Sequence, residues 1–309
     1  MIAAVRSSST AINLNHRLSI LLLSRSFSAS SEIPPPGTPR SNEPSIDVTA
    51  LQTNLTNLAP SISSSLTING YYVTPEPYTI LPRHSIQIMR EQSICLRKIG
   101  RFEQSWSEKI DPSGKVTRFD KEGVFACEPD GQDYYAAPDL ILYLSVMLQT
   151  LPSLLNSEEA EFGLSASSFN AKLAVTSPGG SVYPLHIDNP QGLSAADTRK
   201  LTCILYLNPF YQHGDGGELR IFSGSGTNKN LVVRKDISPD GGRMVLFWSD
   251  EIPHEVLPTA PNAERSDEMR DRYALTVWIP TDHFHTIHDP SSKFAHLGEV
   301  TFSQKNTSD

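Results

Sequence analysis

A chain of 309 residues with a formal net charge of −8 has room for one large domain or two small ones. The acidic balance argues against nucleic acid or an anionic membrane as a general partner. Cys95, Cys127 and Cys203 contain no Cys-x-x-Cys pair and exclude a disulfide framework, so they are expected as small buried thiols of a reducing compartment.

From the N-terminus, residues 1–31 read as a transit peptide. Arg6, Arg17 and Arg25 stand among many serines with no acid before Glu32, and Leu14, Leu18, Leu21 and Leu22 recur at helical spacing. That composition points to the mitochondrion, with plastid and cytoplasm as alternatives. The apolar run Leu18 to Leu23 is too short to span a bilayer. Residues 32–66 are expected to be a Pro/Ser-rich disordered linker. The folded domain is expected over 67–289, with helical support at 67–165 and a β core at 166–282. Residues 290–309 read as a tail.

Within the domain, Thr67 to Val73 suggests a short strand. A helix fits Arg83 to Ile99, with Ile88, Met89, Cys95, Leu96 and Ile99 on one face and Gly100 placed to end it. A second fits Asp139 to Leu151, with Leu140, Leu144, Met147, Leu148 and Leu151 aligned and Pro152 expected to stop or kink it. Core packing against a sheet explains both stripes. Between them, Lys115 to Asp133 is charged and Gly-containing, and reads as a surface loop or a lid beside the site.

From Asn170 the pattern changes to about eight short strands separated by Gly, Pro, Asp or Asn, as in a β-sandwich or jelly roll. They are Ala171–Val175, Val182–Ile187, Leu201–Leu207, Glu218–Phe222, Leu231–Val233, Met244–Trp248, Glu255–Leu257 and Arg272–Ile279. Gly214 to Gly217 leads into a strand rather than a helix, so a turn is expected there and not a phosphate cradle.

The chemistry gathers in three stretches of that β region. His186 and Asp188, two apart on an alternating strand, can present an imidazole and a carboxylate to one point. His254, just after the apolar run Met244–Trp248, offers a second imidazole. Two His and one carboxylate with open coordination positions suit a redox-active non-haem Fe(II). Arg272, at the head of a strand-like run, can grip a carboxylate through two parallel hydrogen bonds. His213-Gly214-Asp215 repeats the spacing but lies in a Gly-rich turn, and is assigned to solvent. His283, His285 and His288 with Asp289 could form a zinc site, yet they sit beyond the last strand and are better read as surface or packing residues.

Six ordered blocks carry a resemblance. They are His186-Ile187-Asp188-Asn189-Pro190, Leu201 to Asn208, Gly216 to Phe222, Phe247-Trp248-Ser249-Asp250, Pro253-His254-Glu255-Val256 and Arg272 to Trp278. Together they resemble the hypoxia-type prolyl 4-hydroxylases, within the wider prolyl 4-hydroxylase group of 2-oxoglutarate oxygenases. The resemblance implies a mainly β fold with flanking helices, a double-stranded β-helix (jelly roll) with its N-terminal helices packed on one sheet. It implies Fe(II) on His186, Asp188 and His254, with 2-oxoglutarate and O2 as cosubstrates and ascorbate as reductant. Arg272 would bind the distal carboxylate of 2-oxoglutarate, Tyr206 would hydrogen-bond it, and Thr276 and Trp278 would line the pocket.

The implied activity is hydroxylation of a prolyl residue in a protein or peptide, without nucleic acid or membrane. A small-molecule hydroxylase of the same chemistry and a non-catalytic metal-binding sensor are the alternatives. This chain departs from the family pattern twice. Thr176-Ser177-Pro178-Gly179-Gly180 stands where a tyrosine is usual, and Thr259 to Asp271 lengthens the link to Arg272. Arg265 and Arg270, in that insertion, compete with Arg272 for the carboxylate role.

Overall fold

In the computed structural model of the protein, the described residues are 44–76, 80–110, 116–180, 182–190, 192, 196–223, 231–260 and 266–287. The transit-peptide and tail assignments lie outside them, as do Arg265, His288 and Asp289.

The first element corrects the sequence reading. Residues 32–66 were expected to be disordered, but α1 spans Val48–Asn69. Asp47 caps its first turn by accepting from the Ala50 amide, and Gly70 ends it at φ 78°. Leu51, Leu55, Ala59, Ile62 and Leu66 recur every three or four residues and are all buried. The Ser, Thr and Asn residues between them cover the solvent face, so average composition hides the stripe.

β1 (Tyr71–Val73) and α2 (Arg83–Lys98) follow. The buried face of α2 is Ser85, Ile86, Met89, Arg90, Ser93 and Leu96. Met89 and Leu96 are where they were expected, but Ile99 lies past the helix end and is 60% exposed. α3 (Pro138–Glu158) continues through Pro152 rather than stopping there. It is long and apolar enough to cross a bilayer, yet Leu140, Leu144, Met147 and Leu151 are buried in the protein core.

Asp139 joins these helices. Its Oδ1 accepts from the Ser45 amide, the Ser45 hydroxyl and the Ile46 amide, each at 2.8 Å, and its Oδ2 accepts from Gln92 Nε2 at 2.6 Å.

Of the stretch expected as a loop or lid, Lys115 to Asp133, the described residues from Val116 are mostly strand. β2 (Glu103–Ile110) and β3 (Val116–Cys127) pair antiparallel, and a 3-10 turn at Gly131–Tyr135 follows. Their charged residues erase the alternation that usually betrays a strand.

The eight later strands fall where expected. They are β4 (Asn170–Thr176), β5 (Tyr183–His186), β6 (Arg199–Tyr206), β7 (Leu219–Ser223), β8 (Val232–Ile237), β9 (Met244–Trp248), β10 (His254–Val256) and β11 (Arg272–Pro280). Among the described residues they join β1, β2 and β3 in a seven-stranded sheet, β1-β9-β6-β11-β4-β3-β2, facing a four-stranded sheet, β5-β10-β7-β8. The short helix α4 (Asp267–Arg270) lies in the insertion before β11.

One face of the large sheet, with Leu173, Val175, Leu201, Leu205, Tyr273 and Leu275, packs on the helices. The other, with Ile204, Tyr206, Val245, Phe247 and Ala274, meets Leu219, Ile221 and Ile237 of the small sheet. β6 is therefore buried on both faces, which accounts for its apolar run Cys203-Ile204-Leu205-Tyr206. The jelly roll with helices on one sheet stands as expected.

Candidate metal centre

Antiparallel pairing of β10 with β5 sets His254 directly opposite His186, bringing their rings to 4.3 Å between centroids. Asp188 follows β5, and its Oδ1 lies 3.5 Å from His186 Nε2 and 3.7 Å from His254 Nε2. One ligand atom from each of the three lies within 4.8 Å of the others.

The remaining polar atoms of these side chains are engaged by the protein. His186 Nδ1 donates to the Pro184 carbonyl at 2.8 Å, and His254 Nδ1 donates to the Ile252 carbonyl at 2.9 Å. Both rings are thereby fixed with Nε2 as the lone-pair nitrogen facing the centre. Asp188 Oδ2 accepts from Thr202 Oγ1 at 2.6 Å and from Trp278 Nε1 at 2.9 Å, leaving Oδ1 for a metal. The Thr202 hydroxyl is in turn 2.8 Å from Ser249 Oγ.

The His254 side chain is 5% exposed and that of His186 36%, so the centre opens on the His186 side. Burial, followed by the nearby His186, lowers the His254 pKa to about 4, so this imidazole is neutral and ready to ligate at ordinary pH. Burial works against the Asp188 carboxylate. The neighbouring His254 and the contacts from His186 and Thr202 outweigh it and hold the group well below the usual range.

Arg272 opens β11 and is buried, donating through Nε to the Gly217 carbonyl at 2.7 Å. Gly217 has φ +77°, and a Cβ there would lie 2.7 Å from Arg272 Cδ. Only glycine fits this approach. The guanidinium carbon lies 5.1 Å from the Tyr206 ring centroid. Among the described residues the buried hydroxyls of Tyr206 and Tyr183 have no hydrogen-bond partner. Burial raises both pKa values and Arg272 pulls them down, which places both phenols within the field of that cation. A buried guanidinium beside unpartnered hydroxyls suits a carboxylate.

The structure brings His186, Asp188 and His254 together and buries Arg272 against Gly217. Sequence reasoning placed Trp278 at the cosubstrate, whereas the indole N–H is bonded to Asp188. Thr276 is half-buried on the same strand face as Arg272. Arg270 is turned to the Ala260 carbonyl and Asp215. His213 is exposed and His283 and His285 stack on one another, and among the described residues neither cluster joins a group that could hold a metal. Thr202, Gly217 and Tyr183 were missed. Thr202 and Tyr183 lie inside stretches that drew attention, but their partners are distant in sequence.

Residues 171–280 match the 2OG-Fe(II) oxygenase superfamily. The chain is 36% identical over 110 residues to a hypoxia-inducible factor prolyl hydroxylase of Caenorhabditis elegans, a match covering 35% of this chain and 13% of that relative's length. Among solved structures, a Pseudomonas putida prolyl-4-hydroxylase is 26% identical with a TM-score of 0.54, over 72% of this chain and 98% of that one. The fold also matches a Trichoplax adhaerens prolyl hydroxylase in complex with a hypoxia inducible factor peptide fragment. That structure has a TM-score of 0.57 and 24% identity, over 78% of this chain and 96% of that one.

Proposed function

With residues 171–280 forming a 2OG-Fe(II) oxygenase domain, we propose that the protein uses Fe(II), 2-oxoglutarate and O2 to hydroxylate prolyl residues of a protein target. One observation carries the metal part of this reading. Two Nε2 atoms and Asp188 Oδ1 converge, while the other nitrogen or oxygen of each side chain is tied down. A two-imidazole, one-carboxylate set that leaves sites open suits ferrous iron.

His186, Asp188 and His254 would hold the iron. Arg272 and the Tyr206 hydroxyl would take the distal carboxylate of 2-oxoglutarate, with Thr276 on the same strand face. When bound, iron with 2-oxoglutarate and O2 supplies the oxidising power to insert one oxygen atom into a C–H bond, releasing succinate and CO2. The chain's own contribution is positioning. Trp278 and Thr202 fix the carboxylate ligand, the two backbone carbonyls fix the imidazoles, and Gly217 fixes Arg272. The buried apolar residues Ile204, Val245, Phe247 and Ala274, on the sheet face that carries Arg272, would keep water from the site.

The prolyl substrate is supported by the identity to the C. elegans and P. putida prolyl hydroxylases. Ascorbate is the reductant we expect to keep the iron ferrous, and the composition of residues 1–31 supports import into mitochondria. The decisive assay follows succinate release by the purified chain with Fe(II), 2-oxoglutarate and ascorbate, with and without proline peptides. Peptide-stimulated turnover with a one-oxygen mass gain on proline is expected. Turnover coupled only to a small molecule would replace the substrate class, and metal binding without turnover would make the protein a sensor. A fluorescent fusion carrying residues 1–31 tests the compartment.

A further inference from the structure

Two lysines near the centre make no ion pair within 4 Å among the described residues. Lys172 on β4 is paired in register with Thr276 of β11, on the sheet face that also carries Arg272 and Trp278. Lys121 on β3 sets its ammonium 4.0 Å from the ring centroid of Tyr183, the residue that begins β5. Among the described residues, neither ammonium makes a hydrogen bond or lies within 4 Å of a carboxylate. Each is lowered in pKa, Lys121 to about 8, by burial first and then, for Lys121, by Lys172. Arg199 makes the contrast: it lies over the Trp278 ring, but Asp197 neutralises it.

Two like charges held near each other and partly out of water oppose folding, and such an arrangement is relieved when an anion arrives. Asp188 and Glu128 are the acidic groups that act on Lys172. Asp188 is committed to the centre, and Glu128 is exposed. Two cations therefore lie near the centre, neither of them within 4 Å of a carboxylate among the described residues.

The cosubstrate does not account for this patch. Its distal carboxylate already has a seat at Arg272 and Tyr206. Lys172 lies four positions along β11 from that seat, toward the Trp278 end that touches Asp188.

We propose that Lys121 and Lys172 determine specificity by receiving the side-chain carboxylate of an Asp or Glu that neighbours the target residue in the substrate. This deepens the hydroxylase reading and rests on it.

The test measures binding of proline peptides to the full-length protein loaded with Mn(II) and an inert 2-oxoglutarate analogue. The peptides come in pairs that differ only by Glu or Gln, with the exchange walked through three positions on either side of the proline. At one position the Glu peptide should bind about tenfold tighter. Lys121→Met with Lys172→Met should reduce the ratio below about twofold, and Lys172→Glu should turn the preference toward a Lys-bearing peptide. A reversed preference cannot come from misfolding.

Equal binding of Glu and Gln peptides at every position would overturn the proposal. So would a preference that survives the double substitution, or variants that weaken the 2-oxoglutarate analogue more than they change peptide discrimination. Failure of the hydroxylase reading shows up separately, as a wild-type chain that selects acidic peptides yet releases no succinate with Fe(II) and 2-oxoglutarate.

Discussion

Trp278 Nε1 donates a 2.9 Å hydrogen bond to Asp188 Oδ2, so the last core strand holds the carboxylate ligand of the centre in place. Thr202 shares the same oxygen from the neighbouring strand β6. With Oδ2 occupied twice, Asp188 is restricted to Oδ1 as its metal-facing atom.

Trp278→Phe keeps an aromatic side chain but removes the indole N–H with its five-membered ring. Affinity for Fe(II) or Mn(II), measured by titration into metal-free protein, should fall roughly 10- to 100-fold, as is typical when a ligand's outer partner is lost. Thr202→Val should act in the same direction. Wild-type affinity in both variants would show that Asp188 is held by its backbone alone. Asp188→Ala should abolish metal retention and turnover together.

Arg272 is predicted to act on the cosubstrate and not on the metal. Arg272→Ala should raise the KM for 2-oxoglutarate at least tenfold while metal affinity stays near wild type. Gly217→Ala should reproduce the defect without touching the charge, because the added methyl meets Arg272 Cδ and strains a left-handed backbone. An unchanged KM in Arg272→Ala would move the carboxylate seat elsewhere.

Lys121 gives a pH dependence of stability with a definite sign. Its pKa falls on folding from 10.5 to about 8, so below about 8 the folded state carries an ammonium it would rather release. Lys121 therefore costs stability at pH 7, and the cost fades as pH rises from about 8 to 10.5. Lys121→Met should raise the urea midpoint at pH 7 and make little difference near pH 10.5. Reductive methylation should also label Lys121 with a midpoint near pH 8, well before exposed lysines.

Asp139 sits far from the chemistry, and its loss should be felt as stability. Asp139→Ala would leave the Ser45 and Ile46 amides and Gln92 without their acceptor, at 1% exposure. A loss of about 3–5 kcal/mol in urea unfolding is expected, from several buried donors stranded at once. A loss below about 1 kcal/mol would mean that residues 44–47 are not held by this carboxylate.

Residues that are neighbours in sequence made much of this protein legible without a structure. Alternation placed the strands from Asn170 onward, and the two-residue spacing suggested that His186, at the end of β5, and Asp188, just after it, could meet at one point. The apolar run Met244–Trp248 signalled that His254 would begin the next strand. Local signals failed where solvent masks them. The Ser and Thr face of α1 concealed a buried Leu stripe, and the charges of β2 and β3 concealed a hairpin.

Only the tertiary structure decided which distant groups meet. The bond from Trp278 to Asp188 spans 90 positions, and the one from Arg272 to Gly217 spans 55. Lys121 reaches Tyr183 from a segment read as a loop. The physical reason is that a periodic pattern fixes which way a side chain faces, because backbone geometry repeats over a few residues. What it faces depends on strand register and sheet order, which are set by the packing of the whole chain.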